Sequence, residues 1–215
     1  MDPRWKHPFT AVVSGPTCSG KSALLQRLIE NSVKVFDTTF RKIVWCYALW
    51  HPNLNIESVQ FQKGIEGLDI LDSKEPVLIV LDDLMQEIDE SIVSLFTRGC
   101  HHQNRSVILI TQNMFHQKKG QRDIALNTHY MLLFRNPRDA AQVAFLARQV
   151  CPTNPKFLID AYKDATSRPY GYLLCDFKQD TPDEFRYRSN ILGETADGYA
   201  CAYVEKKDKK KRKRS

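Results

Sequence analysis

Gly15-Pro16-Thr17-Cys18-Ser19-Gly20-Lys21-Ser22 fits G-x-x-x-x-G-K-S/T at every fixed position. An apolar run, Phe9-Thr10-Ala11-Val12-Val13, leads into it, and Ala23-Leu24-Leu25-Gln26-Arg27-Leu28-Ile29 leads out with helical spacing. Strand, glycine loop and helix N-terminus together make a backbone cradle for an anion. The glycines let successive N–H groups turn inward, and the helix adds the positive end of its dipole. In such a cradle Lys21 would reach the β- and γ-phosphates of a nucleotide, and the Ser22 hydroxyl would ligate Mg2+. A chance glycine-rich turn would lack these flanks.

The next informative stretch is Val77-Leu78-Ile79-Val80-Leu81-Asp82-Asp83. Five consecutive apolar residues suit a strand buried on both faces of a parallel sheet. The carboxyl end of such a strand is where open α/β sheets place their ligands. Asp82 there would hold Mg2+ through water, and Asp83 would orient or deprotonate an attacking water. The plainer alternative is a helix cap, since Asp89-Glu90-Ser91 soon opens a helical pattern running to about His101. Glu87 is a second candidate for the water-activating role. Ser106-Val107-Ile108-Leu109-Ile110-Thr111-Gln112-Asn113 is another apolar strand with a polar end. The Gln112 amide can donate to a γ-phosphate and accept from water, which makes it a candidate sensor; otherwise the three polar residues simply open a loop.

Around these, Ile43 to Tyr47 and Tyr130 to Phe134 read as strands, and Val59 to Phe61 as a short further one. Asp139 to Val150 and Lys156 to Ala165 read as helices, and residues 170–177 and 185–191 as a hairpin. Cys100, His101, His102 and His116 lack the paired spacings of a zinc site. The six cysteines are scattered without a C-x-x-C pair, which indicates neither a disulfide framework nor a zinc ribbon.

The formal charge of +6 is uneven. Residues 206–215 hold eight basic side chains against one acid, which leaves the rest of the chain close to neutral. That divides the chain into one domain over 1–205 and a basic tail, 206–215. The tail fits phosphate contact, a nuclear localisation signal or a solubilising disordered end. No apolar run is long enough to span a bilayer, and no secretory segment follows the N-terminus, so an intracellular protein is expected.

The phosphate loop, the strand ending Asp82-Asp83, the strand ending Thr111-Gln112-Asn113 and the segment Arg135-Asn136-Pro137-Arg138-Asp139 stand in one order. Together they resemble the FtsK–HerA group of P-loop ATPases, most closely the small DNA-packaging ATPases of large DNA viruses and of Maverick or adintovirus-like elements. The resemblance spans roughly Phe9 to Leu192. It implies an α/β, RecA-like (ASCE) domain with a mostly parallel sheet in the order 5-1-4-3-2 and a C-terminal β-hairpin. It also implies a homo-oligomeric ring, usually a hexamer, that pulls double-stranded DNA into a capsid and meets a capsid or portal-vertex protein. In such rings a neighbouring subunit supplies an arginine to the γ-phosphate; Arg98, Arg122 and Arg138 are candidates, each otherwise a solvated surface arginine. Asp83 stands where many relatives carry Glu. The host nucleus or the virion is the location that the tail and the resemblance suggest.

A small-molecule P-loop kinase is the main enzymatic alternative, and a nucleotide-binding switch without turnover is the main non-enzymatic one. The paired carboxylates and Gln112 favour water as the acceptor over the kinase. Intact Lys21, Ser22, Asp82 and Gln112 argue against the switch. No N-K-x-D segment supports a GTPase.

Overall fold

The computed structural model describes residues 2–50, 54, 56–68, 74–84, 90–99, 104–113, 120–138, 140–193 and 198–206. Glu87, Cys100, His101, His102, His116, Asp139 and the tail from Lys207 onward lie outside the described residues, as does the side chain of Arg98.

Each apolar run predicted as a buried strand is one. In chain order these are β1 (Thr10–Ser14), β2 (Lys42–Tyr47), β3 (Val59–Lys63), β4 (Val77–Asp82), β5 (Arg105–Thr111) and β6 (Tyr130–Phe134). The C-terminal part adds β7 (Tyr172–Asp176), β8 (Tyr187–Ser189) and β9 (Cys201–Ala202). The helices are α1 (Lys21–Glu30), α2 (Ser32–Val35), α3 (Glu90–Ser94), α4 (Gln121–Leu126), α5 (Ala140–Val150) and α6 (Pro155–Ala165).

Across the sheet the order is β3-β2-β4-β5-β1-β6-β7-β8-β9. Its middle run, β6-β1-β5-β4-β2, is the predicted 5-1-4-3-2 of parallel strands. The departure in detail lies at the edges. There β3 adds parallel to β2, and the predicted hairpin is absorbed into the same sheet as β7 and β8, antiparallel beyond β6, with β9 outermost.

Successive side chains of a strand point to opposite faces, so each buried strand feeds two cores. Val12, Val44, Ile79, Leu81, Val107, Leu109, Met131 and Leu133 face one layer, which α3 to α6 cover with Ile92, Ile124, Leu146 and Leu158. Ala11, Val13, Trp45, Leu78, Val80, Ile108, Ile110 and Leu132 face the other, covered by Leu24, Leu25, Leu28 and Ile29 of α1. Burying a side chain of this size contributes about 1.5–3 kcal/mol. The α1 stripe therefore clamps the phosphate loop to the sheet.

The N-terminal segment also belongs to this second core. Trp5 stacks on Tyr130 with ring centroids 4.5 Å apart and planes at 9°, and Phe9 and Phe36 meet its edge. Trp5 pairs with Phe36 as an isolated parallel bridge, through Trp5 N–H to Val35 O at 2.7 Å and Asp37 N–H to Trp5 O at 3.1 Å.

One predicted helix, Asp89 to His101, takes a different form. Its described part is α3 followed by a π-helical turn, Leu95–Gly99. There the Thr97 hydroxyl bonds back to Val93 O at 3.0 Å, a side-chain bond that competes with regular helix. The break at Pro155 has a simple origin: Pro155 opens α6, and the Asn154 side chain caps it by accepting from Phe157 N–H at 3.3 Å.

Candidate nucleotide site

The loop between β1 and α1 turns on left-handed residues. Gly20, the residue before α1, has φ 96°, and Cys18 has φ 62°. α1 begins with neither a side-chain cap nor an acid in its first turn, so its first N–H groups and its positive dipole end remain directed at the loop. Gly15 is required for space. A Cβ there would lie 2.6 Å from Phe134 Cβ and 2.8 Å from Ser19 Oγ. Gly15 N–H also donates to Thr111 O at 3.2 Å, which ties the loop's start to the end of β5.

Lys21 folds back into this loop. Its Nζ donates to Gly15 O at 2.7 Å and Pro16 O at 2.8 Å. Burial pulls the ammonium below its ordinary pKa, opposed by the nearby charges of Asp82 and Asp83. The Ser19 hydroxyl is buried and has no hydrogen-bond partner among the described residues. A cation and an unsatisfied hydroxyl beside the uncapped N-terminus of α1 have the donor chemistry that phosphate oxygens accept.

Register brings the remaining candidates to the same edge. Ser14 pairs with Thr111 and Ile110 with Asp82, so the end of β5 lies between the phosphate loop and the two acids. Asp82 is buried, and its Oδ2 accepts from Trp45 Nε1 at 3.2 Å. Asp83 is exposed just past the strand with φ 55°, a conformation Asp tolerates better than most residues. Its two carboxylate oxygens each lie 3.5 Å from Gln112 Nε2. The flanking residues of Gln112 are engaged elsewhere. Thr111 Oγ1 donates to Asn113 O at 3.1 Å, and Gln142 Nε2 donates to Asn113 Oδ1 at 2.6 Å.

Ser22 sits half-buried in the first turn of α1. Its hydroxyl and the Asp82 carboxylate are hard oxygen donors of the kind Mg2+ takes. Among the three arginines, Arg122 is exposed on α4 and Arg138 is exposed in the loop after β6, where its N–H donates to Asn136 Oδ1 at 3.2 Å. Arg98 belongs to the π-helical turn.

Two features of the site escape sequence reading. Trp45 is 37 residues from Asp82 in the chain, and only the pairing of β2 with β4 brings them together. Tyr170 reads as the first residue of a strand, whereas β7 begins at Tyr172. Tyr170 instead occupies a tight turn closed by Gly171 N–H to Arg168 O at 3.1 Å, with φ 60°. The signal was Pro169 ahead of Gly171, since proline favours the second position of a turn.

A mostly parallel sheet in this order, with a phosphate loop after its central strand and paired acids two strands away, defines the class: the fold is that of P-loop ATPases. Solved structures make the likeness particular. The genome-packaging NTPase B204 of Sulfolobus turreted icosahedral virus 2, in complex with ATP-gammaS, superposes with a TM-score of 0.55 at 14% identity, over 84% of this chain and 96% of that one. The DNA-packaging ATPase B204 of Sulfolobus turreted icosahedral virus gives 0.54 at 13% identity over the same shares. The cytoplasmic domain of the type VII secretion ATPase EccC of Thermomonospora curvata gives 0.52 at 16% identity, over 80% of this chain and 24% of that one. No family model matches the sequence, and no curated protein does.

Proposed function

We propose that this chain is an ATP-hydrolysing motor that moves double-stranded DNA, packaging the genome of a virus or virus-like element into a capsid. The observation that carries the reading is the convergence of Lys21, Asp82, Asp83 and Gln112 on one edge of a B204-like sheet. The loop N–H groups and Lys21 bind the triphosphate, with Lys21 exchanging its bonds to Gly15 O and Pro16 O for phosphate oxygens. Ser22 and Asp82 hold Mg2+, which when bound neutralises charge on the phosphates. Trp45 fixes the carboxylate of Asp82. Asp83 accepts the proton of the attacking water, and the Gln112 amide orients that water between the carboxylate and the γ-phosphate.

The motor works as a homo-oligomeric ring, with Arg98, Arg122 or Arg138 of one subunit reaching the γ-phosphate held by the next. The exposure of Arg122 and Arg138 supports this role for both. The basic tail adds affinity for DNA phosphates and directs the protein to the host nucleus or into the virion, where the ring meets a capsid or portal-vertex protein.

The test is steady-state phosphate release from ATP with and without double-stranded DNA, for the protein and Lys21→Ala. Release that DNA stimulates and Lys21→Ala abolishes is the expected result. Nucleotide binding without turnover under either condition contradicts the motor.

A further inference from the structure

Beside the phosphate loop lies a cavity of about 730 Å3, within the 300–1,000 Å3 typical of small-molecule sites. It starts at Gly20 and Leu24 of the loop and α1 and runs outward under the turn that holds Tyr170. Tyr170 is 71% exposed, yet its ring lies against the loop: a Cβ on Gly20 would meet Tyr170 Cδ1 at 3.0 Å. An aromatic residue with φ 60° persists only where its surroundings hold it. Here the hydrogen bond of Gly171 to Arg168 closes the turn, and Gly171 is packed so that a Cβ would sit 2.4 Å from Ala165 O.

The far wall is the C-terminal segment. Tyr203 N–H donates to Tyr187 O at 2.8 Å, and the Tyr203 hydroxyl donates to Asp164 Oδ2 at 2.7 Å. Those bonds hold Cys201, itself exposed, on the cavity lining. The cavity thus joins the phosphate loop at one end, offers an aromatic face beside it, and carries polar side chains such as Asn190 and Ser167 farther out.

We infer that this cavity takes the nucleoside of the nucleotide whose phosphates the loop binds, with the base stacked on Tyr170 and the strand Cys201–Ala202 as its outer wall. The inference rests on the phosphate-loop reading above and extends it to the base. Stacking on an aromatic ring is tolerant of base identity, so Tyr170 supplies affinity, and selectivity falls to the polar lining.

Among the described residues the two exposed thiols, Cys18 in the loop and Cys201 on the far wall, report separately on the two halves. The experiment labels the full chain with N-ethylmaleimide and quantifies each cysteine by peptide mass spectrometry. It is run alone, with Mg2+ and ATP, and with Mg2+ and inorganic tripolyphosphate, which offers phosphates without a nucleoside. ATP should slow modification of both Cys18 and Cys201, whereas tripolyphosphate should slow Cys18 alone. Tyr170→Ala should weaken ATP about tenfold or more and leave tripolyphosphate unchanged, while Tyr170→Phe keeps the ring and the affinity. Protection of Cys18 alone by ATP overturns the nucleoside site and leaves the phosphate loop standing. So does an equal effect of Tyr170→Ala on both ligands. Protection of neither thiol by ATP overturns both.

Discussion

Trp45→Phe tests a buried hydrogen bond to Asp82, the acid proposed to hold Mg2+. Trp45 is fully buried, and its indole N–H donates to Asp82 Oδ2 at 3.2 Å. Phenylalanine keeps an aromatic ring in the core but removes the donor. Two costs add. The loss of volume, roughly 40 Å3 at about 24 cal/mol per Å3, comes to about 1 kcal/mol. A hydrogen bond to a charged group contributes a further ~1.5–3 kcal/mol. The variant should therefore unfold in urea with a stability lower by about 2.5–4 kcal/mol. A double-mutant cycle with Asp82→Ala separates the two costs. The volume term is common to both backgrounds and cancels, which leaves a coupling of about 1.5–3 kcal/mol for the bond itself. Coupling below about 0.5 kcal/mol, the level at which unconnected sites add, would refute the claim that Trp45 holds Asp82.

Gly15→Ala should destabilise the fold by about 1–3 kcal/mol and weaken ATP binding, because the new methyl meets Phe134 Cβ, which cannot swing away; calorimetric titration of the folded variant checks the second effect. ATP affinity should also depend on alkaline pH. Burial lowers the Lys21 pKa in the free protein, while a bound triphosphate favours the ammonium. Affinity is thus full below the lowered value and falls as pH rises through it, and a Kd constant from pH 7 to about pH 10 would contradict this. His7 gives the opposite dependence for folding. Its ring lies 2.7 Å from both Ser106 Oγ and Asn104 Oδ1, and burial lowers its pKa despite the opposing Asn104 bond. Its contribution is complete above the unfolded value of about 6.5 and is lost as pH falls through that value toward the folded one. His7→Gln should flatten the acid limb of a urea-stability profile, and an unchanged limb would count against this account.

Much of the site was legible in the chain because it depends on local chemistry. Gly15 to Ser22 specifies its own loop, and the runs ending at Asp82 and Thr111 announce strands buried on both faces, whose carboxyl ends carry polar groups. The order of the five central strands came with the resemblance that these motifs support. What stayed hidden depends on contacts between distant segments. Nothing near Trp5 forecasts its stacking on Tyr130, and nothing near Trp45 marks it as the partner of Asp82. The helix α4, with only six residues, is too short for apolar periodicity to stand out. Tyr170 was misplaced because a β-rich composition outweighed the turn signal of Pro169 and Gly171. β9 has two residues and is held from outside its own sequence, by pairing with β8.

The central claim is that Asp83 and Gln112 act on water at the γ-phosphate. Single-turnover hydrolysis of ATP by the protein, Asp83→Asn and Gln112→Ala, with binding measured separately, tests it most directly. Nucleotide affinity should survive both substitutions, since neither residue belongs to the phosphate loop. The chemical step should slow about a hundredfold or more for Asp83→Asn, with a smaller loss for Gln112→Ala. Hydrolysis by Asp83→Asn at the parent rate would contradict the account.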